Sequence, residues 1–110
     1  MWKLFFAALM SMESGGDCNA VGDGGRSIGP YQISRAYWID SGVPGRWKDV
    51  RDPKYAERVM RAYWRRYCPR AVESRDWRTM ARVHNGGGPR GPKIQATRGY
   101  WIGVSRSMNH

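Results

Sequence analysis

Residues 12–33 read MESGGDCNAVGDGGRSIGPYQI and contain both features around which this chain is organised. Glu13 directly follows an apolar run. The Gly15-Gly16 pair predicts a helix end there, because glycine readily adopts the left-handed cap conformation. Asp23-Gly24 is a strong turn signal, so residues 19–33 are predicted to form a short β-hairpin. The stretch therefore places one carboxylate at the end of a helix and a second one on a turn.

The apolar run before Glu13 predicts a first helix over residues 2–12. Its aromatic and aliphatic side chains leave almost no polar face, which is typical of a buried helix. The run Leu4–Met10 could be mistaken for a signal peptide, with Lys3 as its positive region. A cleavage site would then fall almost on Glu13, so we interpret the run as a core helix, in a domain that could be cut from a longer precursor.

Size and composition favour one folded domain over residues 1–110. With 41% hydrophobic and 25% charged residues, the chain is expected to bury one core. No stretch approaches the roughly 20 apolar residues that a membrane helix needs. Further helices are predicted after Ser34, after Asp52-Pro53, after Ser74 and over residues 94–108. Together with the hairpin, they predict an α+β fold that is mainly α.

The formal net charge of +10 predicts an anionic partner. Nucleic acid is the obvious alternative to an anionic cell wall. The basic residues, however, are spread along the whole chain, and no groove-binding motif accompanies them. We therefore expect a wall polysaccharide as the partner rather than nucleic acid. We also expect the protein to be a monomer.

The cysteines and histidines do not form a metal-binding pattern, and no cofactor is predicted. Cys18, Cys68, His84 and His110 lie far apart in the chain, without ligand spacing. A Cys18–Cys68 disulfide and two separate thiols are both compatible with the sequence.

Two carboxylates on rigid supports can break a glycosidic bond. One protonates the leaving oxygen, and the other stabilises the developing oxocarbenium centre, attacks it or activates water. A carboxyl that is buried near the negative end of a helix dipole favours its protonated form, which suits Glu13 to the role of acid. The residues alone leave two alternatives open: an exposed, inactive Glu13, and an Asp23 that only forms the turn.

A series of short motifs adds a family resemblance. ESG, GPYQI, AYWID, YWRRY, HNGGGP and GYW follow one another from about residue 5 to residue 104. The series resembles the invertebrate-type lysozymes, which include the leech destabilases. More loosely, it is similar to lytic transglycosylases and goose-type lysozymes. The resemblance implies a lysozyme-like fold with a central buried helix and a small β-hairpin lining the substrate cleft. Animal members are rich in disulfides, so the two cysteines here would also fit a bacterial relative.

The resemblance assigns roles to particular residues. Glu13 becomes the general acid, and Asp23 becomes the nucleophile or electrostatic stabiliser. The substrate-binding residues that it implies are Ser27, Tyr31 and Gln32 on the cleft-lining strand, His84 and Asn85 in the HNGG turn, and Tyr100 in GYW.

The predicted function is that of a bacteriolytic muramidase. We expect hydrolysis of β-1,4 bonds in peptidoglycan or a related N-acetylhexosamine polysaccharide, outside the cell or in the periplasm. The resemblance favours a reaction that retains the configuration of the anomeric carbon, which predicts carboxyl groups about 5 Å apart. The alternatives are a lytic transglycosylase that uses Glu13 alone, and a non-enzymatic cationic module that binds polyanions.

Overall fold

The computed structural model describes residues 1–109, which form six α-helices and one small sheet. The elements in chain order are α1 (Trp2–Ser14), β1 (Val21–Gly22), β2 (Ser27–Ile28), β3 (Ile33–Ser34), α2 (Arg35–Ser41), α3 (Pro53–Tyr67), α4 (Pro69–Ser74), α5 (Trp77–Gly86) and α6 (Ala96–Met108). Short 3-10 segments lie at Asp23–Gly25, Trp47–Arg51 and Gly91–Lys93. None of the helices described here is long and apolar enough to cross a bilayer.

Helix α1 ends at the predicted glycine but is buried along one face only. Gly15 takes the left-handed conformation with φ 67°, and its amide bonds to the carbonyls of Met10 and Ser11. The buried side chains of this helix are Phe5, Phe6, Ala8 and Leu9. Leu4 is 52% exposed and Met12 is 41% exposed, so the prediction of a helix buried all round is wrong. The apolar pattern of a helix does not show which of its sides its neighbours will cover.

The predicted hairpin is part of a three-stranded antiparallel sheet in the order β1-β2-β3. Val21 pairs with Ile28 in the first pair of strands, and Ile28 pairs with Ile33 in the second. Tyr31 and Gln32 were expected on a strand, but they lie in the turn that joins β2 to β3. The Gly-Pro sequence before them bends the chain, and Gln32 itself has a φ of 53°.

Side-chain capping sets the starts of three of the six helices in residues 1–109. The Ser34 hydroxyl accepts the amide of Tyr37 at the start of α2, and Asp52 with Pro53 begins α3. The helix predicted to start at Ser74 does not begin there, because Ser74 ends α4. Asp76 caps α5 instead, by accepting the amide of Thr79.

The core is one cluster of buried side chains with an aromatic centre. The indole of Trp64 is fully buried and donates to the carbonyl of Met80 at 2.9 Å, so its polar N–H is satisfied. The rings of Phe5 and Phe6 lie within 6 Å of Trp64 and attach α1 to α3. This cluster fixes the helix that carries Glu13.

Both cysteines are free thiols. Cys18 is exposed, and Cys68 is half-buried at the junction of α3 and α4. Burial, with a smaller contribution from Asp76, raises the pKa of the Cys68 thiol to about 11. The structure thus contains two separate thiols, the second of the two arrangements that the sequence left open.

Candidate active site

The Glu13 carboxyl lies in the last turn of α1 and receives a hydrogen bond from helix α6. Its side chain is 17% exposed, so it is largely buried but still reaches solvent. The hydroxyl of Tyr100 donates to Glu13 Oε2 at 2.9 Å. Burial, followed by the negative charge of Glu13, raises the pKa of Tyr100, so its hydroxyl remains a donor at neutral pH.

His84 reaches the same oxygen from helix α5. Its Nε2 lies 3.3 Å from Glu13 Oε2 and 3.1 Å from the carbonyl oxygen of Tyr31. Its Nδ1 lies 2.9 Å from the hydroxyl of Tyr37. The side chain is only 2% exposed, and both ring nitrogens contact protein groups. His84 therefore faces the carboxyl from inside the core rather than from the solvent side.

The end of α1 is attached to the turn of the sheet. The hydroxyl of Ser14, the residue after Glu13, donates to the carbonyl of Pro30 at 2.8 Å and also accepts two amides of the following loop. The Gln32 amide group donates to the carbonyls of Ala20 and Gly29 at 3.2 and 2.9 Å. These bonds give the helix end that carries Glu13 and the β2–β3 turn a common support.

Asp23 begins the 3-10 turn between β1 and β2. It has a φ of 52°, a left-handed conformation that aspartate tolerates better than most residues other than glycine. Its carbonyl accepts the amide of Arg26, which closes the turn. Its side chain is exposed, and within residues 1–109 the carboxylate makes no hydrogen bond or ion pair. Asp23 thus forms the turn and also leaves a carboxylate open to solvent.

The remaining predicted site residues are less closely grouped. Ser27 is half-buried on β2 and pairs with Ser34, while Asn85 is exposed near the end of α5. The buried phenol of Tyr31 donates to Glu57 Oε2 at 2.8 Å, so it is committed to α3. Its backbone carbonyl, not its side chain, is the part that contacts His84.

The structure thus brings together three predicted site residues, Glu13, His84 and Tyr100, and adds Tyr37, which was not among the predicted site residues. Tyr37 lies within the AYWID motif. Its only sequence signal is that it occupies an apolar position of α2 while carrying a hydroxyl, which must find a partner when it is buried.

Comparison with known proteins identifies the family. A family model described as Destabilase matches residues 5–107. The chain belongs to the destabilase family.

Its relatives in this family are lysozymes. A lysozyme of Meretrix lusoria is 42% identical over 106 residues, which cover 86% of this chain and 80% of the relative. Lysozyme 1 of Crassostrea virginica is 39% identical over 99 residues, and the match covers 84% of this chain but only 52% of that protein. The destabilase-family chain thus spans about half the length of the oyster enzyme.

The solved structures confirm the fold class. The inhibitor-bound lysozyme of Meretrix lusoria superposes with a TM-score of 0.78 at 35% sequence identity. The match covers 94% of this chain and 88% of that one. The predicted α+β, mainly α, lysozyme-like fold is therefore correct for this member of the destabilase family.

Proposed function

We propose that this destabilase-family chain is a muramidase that hydrolyses the β-1,4 bond between N-acetylmuramic acid and N-acetylglucosamine, with Glu13 as its general acid. The observation that carries the proposal is the Glu13 carboxyl, which is largely buried at a helix end and held on one oxygen by Tyr100. A general acid needs this combination of restricted hydration and fixed orientation. The lysozymes among its relatives support the same reaction.

The reaction uses the two oxygens of Glu13 differently. Oε2 accepts the Tyr100 hydroxyl, whereas Oε1 makes no hydrogen bond within the described residues. Glu13 protonates the glycosidic oxygen as the bond to the anomeric carbon breaks. Asp23, exposed on its turn, attacks or stabilises the oxocarbenium centre. Glu13 then takes a proton from the water that completes hydrolysis.

The substrate of the proposal is peptidoglycan. The net charge of +10 attracts the protein to an anionic wall, and the exposed amide of Asn85 and the hydroxyl of Ser27 offer hydrogen bonds to sugar groups. Since peptidoglycan lies outside the cytoplasmic membrane, the proposed place of action is extracellular or periplasmic. The proposed active form is a monomer.

The substitution Glu13→Gln tests the proposal. The amide keeps the side-chain size and an oxygen that can accept from Tyr100, but it cannot donate a proton as an acid. We expect an intact fold by circular dichroism and complete loss of wall lysis. Glu73→Gln is the matched control, because it makes the same charge change on the exposed surface of α4. Lysis that survives Glu13→Gln and falls with moderate salt would instead indicate a cationic binding module.

Product analysis separates hydrolysis from the transglycosylase reaction. In a lytic transglycosylase the 6-hydroxyl of the substrate closes on the anomeric carbon, so the products carry 1,6-anhydro ends. We expect reducing ends by mass spectrometry. We also expect Asp23→Asn to lower the rate strongly, whereas a transglycosylase would tolerate this change.

A further inference from the structure

His84 is a histidine inside the core that touches the proposed acid. From its contacts we infer that His84 is a positioning residue: Tyr31 and Tyr37 hold it as a neutral imidazole with its hydrogen on Nε2, and this fixes the transferable proton of Glu13 on Oε1. The catalytic part of this inference rests on the proposed function, whereas the state of the imidazole does not.

The partner of Nε2 shows that this nitrogen carries a hydrogen. It lies 3.1 Å from the carbonyl oxygen of Tyr31, in hydrogen-bonding geometry. A backbone carbonyl can only accept, so Nε2 must donate. The same N–H lies close to Glu13, with 3.3 Å between Nε2 and Oε2. The N–H hydrogen bond goes to Tyr31, and its partial positive charge also lies close to Oε2.

The partner of Nδ1 favours the neutral ring. The Tyr37 hydroxyl lies 2.9 Å away and has no other hydrogen-bond partner within residues 1–109. If Tyr37 donates to Nδ1, both groups are satisfied. If Nδ1 carried a second proton, the Tyr37 hydrogen would lose its acceptor in a buried site, which is costly. Burial raises the pKa of Tyr37 well above its usual value, so this hydroxyl keeps its proton.

The charges around the ring act in opposite directions. An ionised Glu13 would attract an imidazolium, while Tyr31, Tyr37 and Tyr100 contribute no charge. Against that attraction stand the near-complete burial of His84 and the aromatic surroundings, with Trp64 6.4 Å away edge-on and Tyr63 stacked on Tyr37 at 3.7 Å. A neutral His84 leaves Glu13 without a cationic partner on this side.

The two oxygens of Glu13 are then no longer equivalent. Oε2 accepts the Tyr100 hydroxyl at 2.9 Å and lies 3.3 Å from Nε2, which carries a hydrogen, so the proton of the neutral acid resides on Oε1. In the first step the Oε1–H bond breaks, and the proton moves to the glycosidic oxygen. The electron pair of the breaking C–O bond goes to that oxygen. The negative charge that remains on Glu13 is stabilised by the Tyr100 hydrogen bond and by the nearby Nε2–H dipole.

Nitrogen-15 NMR of histidine-labelled protein tests the state of the ring directly. The chain has two histidines, so a His110→Gln variant assigns the His84 signals. We expect one hydrogen, on Nε2, at neutral pH. In Tyr37→Phe the hydrogen should stay on Nε2, because the Tyr31 carbonyl still accepts it, while the Nδ1 signal should shift to that of a nitrogen without a hydrogen bond. The loss of this one hydrogen bond should lower kcat about threefold to tenfold with KM unchanged.

Tyr63→Phe is the matched control, because it removes a hydroxyl from the same aromatic stack without touching His84. It should leave both the imidazole spectrum and kcat unchanged. A second variant, His84→Gln, offers a permanently neutral amide donor near the position of Nε2, and it should retain most of the wild-type kcat. A histidine that carries protons during turnover would instead make this variant as inactive as Glu13→Gln.

Besides an inactive His84→Gln enzyme, two results would overturn the inference. One is a wild-type spectrum with both nitrogens protonated, or with the hydrogen on Nδ1. The other is a Tyr37→Phe protein in which Nδ1 has lost its hydrogen bond while kcat has not changed. Because the spectrum needs no turnover, a protein that fails to cleave peptidoglycan but shows the Nε2–H form would reject the proposed function and leave the assignment of His84 standing.

Discussion

Replacing Tyr100 with Phe removes one hydroxyl and should slow the chemical step about tenfold. The ring stays, so the packing of α6 against α1 is kept. Only the donor to Glu13 Oε2, at 2.9 Å, is lost. In the proposed mechanism Glu13 becomes a carboxylate as it gives up its proton, so that donor stabilises the transition state more than the neutral acid.

The magnitude follows from the charge that develops on Glu13. A hydrogen bond to a charged group contributes about 1.5–3 kcal/mol. The same bond to the neutral acid contributes about 1 kcal/mol, so the transition state loses about 0.5–2 kcal/mol more than the ground state. The middle of this range corresponds to a roughly tenfold decrease in kcat. The free energy of unfolding should fall by about 1 kcal/mol, the contribution of a bond to a neutral acceptor.

The assay is steady-state hydrolysis of a soluble peptidoglycan fragment, with kcat and KM determined separately. Tyr67→Phe is the control, since it likewise removes a phenolic hydroxyl, at the end of α3. A Tyr100→Phe enzyme with wild-type kcat and a raised KM would refute the reasoning. In that case the hydroxyl would bind the sugar, as the family resemblance implied, rather than orient the acid.

Two further predictions concern stability. Burial raises the pKa of the core tyrosines Tyr31, Tyr37 and Tyr63, the last to about 12. Because the folded-state pKa values are raised, these tyrosines contribute fully to the free energy of unfolding below their unfolded-state pKa of about 10. As the pH rises above about 10 this contribution is lost, by at most about 1.4 kcal/mol per pH unit for each residue. Urea unfolding between pH 8 and pH 12 should show this decline, and a flat profile would contradict it. Gly91→Ala should destabilise the protein by about 1–3 kcal/mol, because the new Cβ would clash with the backbone of Arg82. Gly99→Ala, which meets open space in α6, should not destabilise it, and equal unfolding midpoints for the two variants would reject the steric argument.

The features that sequence analysis predicted well depend on neighbouring residues. Gly15 ends α1, Ser34 begins α2 and Asp52-Pro53 begins α3, because a cap needs only a side chain and an amide a few residues away. The same rules were ambiguous where two cap-forming residues lie close together. The sequence predicts a helix start at Ser74, but in the structure Asp76 caps α5.

The contacts that define the candidate site could not be predicted in this way. Glu13 and Tyr100 are 87 positions apart, and Tyr37 and His84 are 47 apart. Only the packing of four helices brings them together. The family resemblance placed Glu13, His84 and Tyr100 at the site, but it gave no indication that His84 would be buried with both nitrogens bonded. The conformation of Gln32 was missed as well, since a positive φ at a residue other than glycine has no reliable sequence signal.

The bond from Ser14 to the Pro30 carbonyl has a consequence for how a long polymer enters. It couples the acid to the inner bend of the sheet, so the two cannot separate without breaking that bond. The outer bend at Asp23–Gly25 contains two glycines, so it is freer to adjust than the inner bend. In the proposed enzyme Glu13 would stay in place while the bend that carries Asp23 adapts to the glycan.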